Sequence, residues 1–233
     1  PDLLFAHVTD RRSLKEPFDV TRPVPSDSLA RLEAAAVNGS LVGSSNEAGS
    51  IDALRELTHD ALRLEVETPR TFKESVDLFR IGKAEIEANP DGIDFSGPMF
   101  EAMHLAGLFS REAALDTGST AYEQGLSAVL ENTDTAMGHI WMVSRTNTRV
   151  DQINTGRDWL RINLAATAEG LGTQPLSQAL QEYPEMKLYY DRIHAMLARD
   201  GGTVQMLARL GYGAAIGPSP RWPVNTIVTR GLA

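Results

Sequence analysis

The stretch that decides the fold is GRDWLRINLAATAEGLGTQPLSQALQEYPEM, residues 156–186. Its first part belongs to a segment, 149–172, that predicts the most apolar helix of the chain. Ile153, Leu160, Leu164, Ala168 and Leu171 fall on one stripe of that helix, and Gly170 and Gly172 end it. A proline and a run of side-chain amides and hydroxyls follow. Such a loop turns backbone N–H and C=O groups toward something planar and polar, such as the edge of a cofactor ring; the plainer reading is a helix cap with a polar connector. Glu182 and Glu185 have the spacing of helical neighbours. Pro184 lies between them, so a solvated face suits them better than an acid–base or metal pair.

Working outward, TAMGHIWMVSR (135–145) holds the apolar run IWMV, which suits a buried strand. On the other side EMKLYYDRIHAMLAR (185–199) predicts a helix ended by Gly201-Gly202, and VQMLARLGYG (204–213) a second strand. Toward the N-terminus, SDSLARLEAAA (26–36) predicts a helix capped by Ser26 or Ser28. Asn38-Gly39 marks a turn before a short strand in SLVGSS, and IDALRELTHDALRLEVE (51–67) is an amphipathic helix. One further helix is expected within 67–92, with Thr71 before its first turn and Asn89-Pro90-Asp91-Gly92 as its stop. Helices are also expected over 97–110 and 119–132, and TIVT near the C-terminus is β-prone. The order predicts an α+β fold, a small sheet covered by helices, in one domain spanning 1–233.

Composition narrows the chemistry. The apolar fraction of 42% supports a sizeable core, and a net charge of −9 argues against a nucleic-acid surface. No apolar run approaches the ~20 residues that span a bilayer, so no membrane insertion is expected. The chain has no cysteine, which removes disulfides, thiol nucleophiles and cysteine-ligated metals. His7, His59, His104, His139 and His194 are scattered, with no metal-ligand spacing. No G-x-S-x-G, Walker or G-x-G-x-x-G motif occurs. The chemistry must come from oxygen and nitrogen groups or from a bound cofactor.

Two other segments stand out. TDRRSLKEPFD (9–19) concentrates Arg11, Arg12, Ser13 and Lys15 in an acidic chain. It is not an export signal, because Glu16, Pro17, Phe18 and Asp19 stand where a twin-arginine signal needs an apolar stretch. An anion site, with guanidiniums and a hydroxyl on phosphate oxygens, remains open beside an ordinary solvated turn. GPSPRWPVN (217–225) sets Arg221 and Trp222 between prolines, which restrict the backbone around the guanidinium; a surface tail with an aromatic anchor is the alternative.

Together, and in this order, DRRSLKEPFD, GRDWLRINLAATAEGLGTQPLSQALQEYPEM and QMLARLGYG…PSPRWP resemble the FMN-dependent nitroreductase family. More narrowly the chain looks like the C-terminal part of the Acg-type branch, in which two nitroreductase-like halves are fused. The resemblance implies a nitroreductase-like α+β fold with FMN held non-covalently. It implies that Arg11 and Ser13 bind the FMN phosphate, that Arg12 adds main-chain contacts, and that Lys15 reaches the N1–O2 edge of the ring. Gln174, Pro175, Leu176, Ser177 and Gln178 would lie against the ring, with the Ser177 backbone N–H toward N5. Arg221 would close the phosphate site. Ser219 stands where the family commonly has a lysine or arginine.

The implied activity is hydride transfer from NAD(P)H through the flavin to nitroaromatic, quinone or similar small acceptors. The alternatives are an FMN-storing protein with little turnover, and a helical interaction domain that has lost its cofactor. The implied partner is a second copy, as a homodimer, or a preceding half of the same chain, as a pseudo-dimer. The chain begins at Pro1, and family members usually carry an earlier segment that contacts the flavin's pyrimidine edge, so a preceding segment is expected. The expected location is cytoplasmic, or periplasmic if a removed signal preceded Pro1.

Overall fold

The computed structural model describes residues 2–231. After a 3-10 turn at Leu3–His7, the basic segment leads without regular structure to α1 (Ser26–Ala34), which Pro25 rather than a serine hydroxyl precedes as its cap. The expected turn at Asn38-Gly39, with Gly39 at φ 101, enters β1 (Leu41–Ser45). Glu47 accepts from the N–H groups of Gly49 and Ser50 at 3.0 and 2.7 Å, so α2 (Ala48–Glu67) starts ahead of its first apolar repeat.

The segment 67–92 is not one helix. It forms α3 (Pro69–Asp77), β2 (Phe79–Ile81) and α4 (Gly82–Ala88), followed by β3 (Ile93–Phe95). Pro69 in the first turn places the start of α3 ahead of Thr71, whose hydroxyl instead donates to the Thr68 carbonyl at 2.9 Å. Gly82, at φ 80, breaks the apparent periodicity. The chain continues through α5 (Pro98–Leu105), α6 (Arg111–Leu115), α7 (Thr120–Asp134), β4 (Gly138–Ser144), α8 (Arg149–Ala168), β5 (Gly172–Pro175), α9 (Lys187–Leu197), β6 (Thr203–Gly211) and α10 (Val224–Gly231). The β-prone TIVT therefore lies in a helix. Ile227 and Val228 are exposed and no described strand pairs with them, so the packing that gives branched residues their strand preference is missing.

Packing groups the residues into two compact units. One joins the described residues up to Glu65 with Val129–Ile216; the other joins Val66–Ala128 with the described residues from Gly217 onward. In the first, four strands form a sheet in the order β1-β4-β6-β5, antiparallel throughout. Alternation along β4 and β6 sends Ile140, Met142, Ala208 and Leu210 to a core shared with α1 and α8. Leu207 and Trp141 go to the opposite core, shared with α2 and α9. Full burial of a Leu or Ile in either layer contributes about 1.5–3 kcal/mol. In the second unit β2 and β3 pair in parallel over an aromatic core of Phe79, Phe95, Phe100 and Phe109.

The core-facing side of α8 differs from the apolar stripe. Leu164 and Leu171 are buried, but Ile153 and Leu160 are each 49% exposed. The buried face is built from Thr155, Asp158, Ile162, Ala165 and Ala166. Asp158 sits there because its carboxylate accepts from the N–H groups of Val37, Asn38 and Ser40 and from the Asn38 side chain, at 2.8–3.2 Å. Satisfied hydrogen bonds let a polar residue hold a position that periodicity assigns to an apolar one.

Candidate functional site

The basic segment is tied to the sheet at its far edge. Ser13 forms a parallel bridge with Thr173 of β5, and the Leu14 N–H donates to the Thr173 carbonyl at 2.8 Å. The segment docks through Leu14 and Phe18, both buried. Their seat is a notch made by Gly172 and Gly211, which face each other across the β5–β6 ladder. A Cβ on Gly172 would come within 2.8 Å of Leu14 and 2.9 Å of Phe18; one on Gly211 would come within 2.5 Å of Phe18. Each glycine is there because a ring or methyl needs the space.

Arg209 of β6 completes the attachment from below, with no measurable exposure. Its Nε donates to Gln174 Oε1 at 2.6 Å and its Nη1 to Thr135 Oγ1 at 3.0 Å. Its Nη2 donates to the carbonyls of Glu16 at 2.8 Å and Leu14 at 3.3 Å. The guanidinium also lies 4.0 Å from the centre of the Phe18 ring. Burial pushes its pKa down to about 10, still well above neutrality, so it is a cation held among neutral acceptors. His139, its partner across the β4–β6 ladder, is fully buried with neither ring nitrogen hydrogen-bonded among the described residues. Burial, with the Arg55 and Arg209 charges, pushes the His139 pKa down to about 3, so the ring is neutral.

The expected site residues fall around this attachment. Arg11 and Arg12 are half-buried, and Ser13 and Lys15 are exposed. The Arg12 guanidinium donates to the carbonyls of Thr9 and Arg11, both at 2.8 Å, so it braces the loop. The side chains of Arg11 and Lys15 make no hydrogen bond or ion pair among the described residues. On the adjoining strand Gln174 gives its carbonyl oxygen to Arg209, which leaves its NH2 for another partner. Pro175 ends β5, and Leu176 is buried, its N–H donating to the Leu207 carbonyl at 2.8 Å. That anchor holds Ser177 in the open, with no acceptor for its N–H among the described residues. Gln178 opens the following 3-10 turn.

Arg221 belongs to the second unit. It is exposed, and its Nη1 donates to the Pro220 carbonyl at 2.8 Å. The next residue fixes the segment: Trp222 Nε1 donates to Asp91 Oδ2 at 2.8 Å, while Arg80 holds Asp91 Oδ1 at 2.7 Å. No group of three or more His, Asp or Glu among the described residues could hold a metal, and no helix is long and apolar enough to cross a membrane.

The donor set fits an organic phosphate joined to a planar polar ring. Arg11, Lys15 and the Ser13 hydroxyl supply cations and a donor in one short segment, and the Thr173 hydroxyl beside them is buried without a partner among the described residues. The open Ser177 N–H and the Gln174 NH2 supply donors on the neighbouring loop.

The same backbone path occurs in solved structures. A nitroreductase with bound FMN from Bacteroides fragilis covers 97% of this chain and 97% of its own, with a TM-score of 0.54 at 12% identity. The FMN-dependent nitroreductase NfnB from Mycobacterium smegmatis, in complex with NADPH, covers 96% of each chain with a TM-score of 0.54 at 18% identity. The fold is nitroreductase-like. Iodotyrosine deiodinase, bound to FMN and 3-iodo-L-tyrosine, shares it across 95% of this chain and 96% of its own, with a TM-score of 0.50 and 14% identity. No family model and no curated protein sequence matches the chain.

Arg209 is the residue that sequence reasoning passed over. Its signal was present: a charged residue on one face of the apolar run QMLARLGYG marks a buried cation that needs acceptors.

Proposed function

We propose that this chain is an FMN-dependent oxidoreductase of nitroreductase type, drawing hydride from NAD(P)H and passing it to small electron-poor acceptors such as nitroaromatics or quinones. One observation carries the reading: in a nitroreductase-like fold, the Ser13–Thr173 bridge puts Arg11 and Lys15 beside the open loop at 174–178. When bound, FMN supplies the hydride chemistry itself.

The protein's part is binding, orientation and charge. Arg11 binds phosphate oxygens through its planar fork and Ser13 through its hydroxyl, with Arg12 shaping the loop beneath them. Lys15 brings a cation to the N1–O2 edge, where reduction adds negative charge. Pro175, Gln178 and the main chain at Leu176 would lie against the ring, Gln174 would offer its NH2 to a ring carbonyl, and the Ser177 N–H would serve N5. No side-chain acid or base is assigned to the transfer.

Residues 1–233 act as one FMN-binding module that meets a second nitroreductase-like surface, from another copy or from a preceding half as in the Acg-type branch. The half-exposed Ile153 and Leu160 on α8 offer apolar area for that contact. The test is a visible spectrum of the purified protein after FMN addition and desalting, then anaerobic mixing with NADH and with NADPH. Retained flavin absorbance that bleaches on mixing supports the reading. A colourless protein refutes it, and a yellow protein that neither nucleotide bleaches refutes the enzymatic part.

A further inference from the structure

We propose that Arg209 is a positioning residue that locks the phosphate-binding segment and the ring-facing loop into one rigid arrangement. Its role in ligand binding rests on the FMN reading above; its role in ordering the two segments does not.

A buried cation needs a reason to stand where a leucine would pack, because taking its charge out of water costs free energy that packing does not return. Arg209 makes no ion pair with a carboxylate among the described residues; the Glu16 charge acts on it only from farther away. Its partners are two backbone carbonyls, one amide and one hydroxyl. They come from three parts of the chain: Leu14 and Glu16 from the basic segment, Gln174 from the edge strand, and Thr135 from the approach to β4. Only a guanidinium has enough donors, fixed in one plane, to satisfy all of them; a lysine has a single nitrogen.

The choice of carbonyls gives the arrangement its consequence. Leu14 and Glu16 flank Lys15, so Arg209 fixes the main chain on both sides of that residue while the Lys15 side chain stays exposed. By the same contact set it turns the Gln174 amide so that its NH2, not its oxygen, is left for a ligand. Phe18, stacked on the guanidinium and seated in the Gly172–Gly211 notch, closes the assembly. One side chain thus sets the spacing between the site's cations and its ring-facing donors.

The experiment uses the full chain with Arg209→Met and Arg209→Lys, and reads amide exchange and ligand titration separately. In folded Arg209→Met, protection of the Leu14 amide should fall at least tenfold, while the Met142 and Leu207 amides in the strands keep theirs. FMN affinity should fall tenfold or more, and Arg209→Lys should restore little of it. Arg11→Ala made in the Arg209→Met background should lose at least half of its effect on FMN affinity, because Arg11 would no longer be held in place. Unchanged Leu14 protection in a folded variant overturns the proposal, and so does full additivity with Arg11→Ala. If neither variant folds, the wild type decides: an Arg209 Nε–H resonance that exchanges far more slowly than that of Arg11 supports the lock, and equal exchange overturns it. A wild type that binds no FMN removes the functional reading, while the exchange arm still decides the positioning.

Discussion

Gly172 faces Gly211 across the β5–β6 ladder, and the Phe18 ring occupies the space that two side chains would fill. Gly211→Ala should therefore act at a distance. The added methyl would meet the Cβ, Cγ and Cδ2 of Phe18 at 2.5–2.7 Å, and Phe18 has little room to yield. Overpacking of this kind costs about 1–3 kcal/mol. A urea melt should show that loss, and limited proteolysis should show faster cleavage within residues 9–19. Alanine at Gly217, which has open space around it, should do neither.

Arg11→Ala and Lys15→Ala should each weaken FMN binding without touching stability, because neither side chain is bonded within the described protein. Loss of a charge-assisted contact is worth about 1.5–3 kcal/mol, roughly 10- to 150-fold in affinity. Flavin fluorescence quenching at fixed ionic strength measures it. Arg11→Lys should recover only part of the loss, since one ammonium cannot reproduce a two-pronged contact.

Acid should unfold the protein partly through Asp158. Burial alone would raise its pKa, but the hydrogen bonds from Asn38, Val37 and Ser40 outweigh it and hold the carboxyl below its ordinary value. A carboxyl depressed in the folded state adds stability at pH values above its unfolded pKa, about 4, and that stability is lost as pH falls through the folded value. Glu169, held down by Arg31, adds to the same trend. Melting temperature should be flat near neutrality and fall steeply below about pH 4. Asp158→Asn should be less stable at pH 7, by about 1–3 kcal/mol for the weakened acceptor, with a shallower acid slope.

Trp222→Phe keeps the ring and removes the N–H that donates to Asp91. Hydrogen–deuterium exchange of peptides covering 217–228 should rise. A hydrogen bond to a charged group of this kind is worth about 1.5–3 kcal/mol at most.

The parts of the fold that could be read in advance were those with long, regular patterns. The helices over 51–67 and from Arg149 repeat one period over enough residues to be distinguished, and IWMV and QMLARLG stand out as short, largely apolar runs that suit buried strands. Phe79–Ile81 could not be read, because two apolar residues around Arg80, set between helical patterns, look like one more turn; Gly82 was the clue. The apolar stripe of α8 holds at Leu164 and Leu171 and fails at Ile153 and Leu160, where polar Thr155 and Asp158 take the interior instead. At the site, the basic segment and the 174–178 loop stood out by composition. What binds them together did not, because the glycine notch and Arg209 act through contacts nearly two hundred residues apart in the chain.

The central claim is that the segment at Arg11–Lys15 binds the phosphate of a flavin nucleotide. The direct measurement is a side-by-side titration of the full chain with FMN and with riboflavin, which differ only in that phosphate, repeated with Arg11→Ala. The account predicts that FMN binds at least tenfold more tightly than riboflavin and that Arg11→Ala removes most of the difference. Equal affinity for the two flavins, or binding of neither, would contradict it.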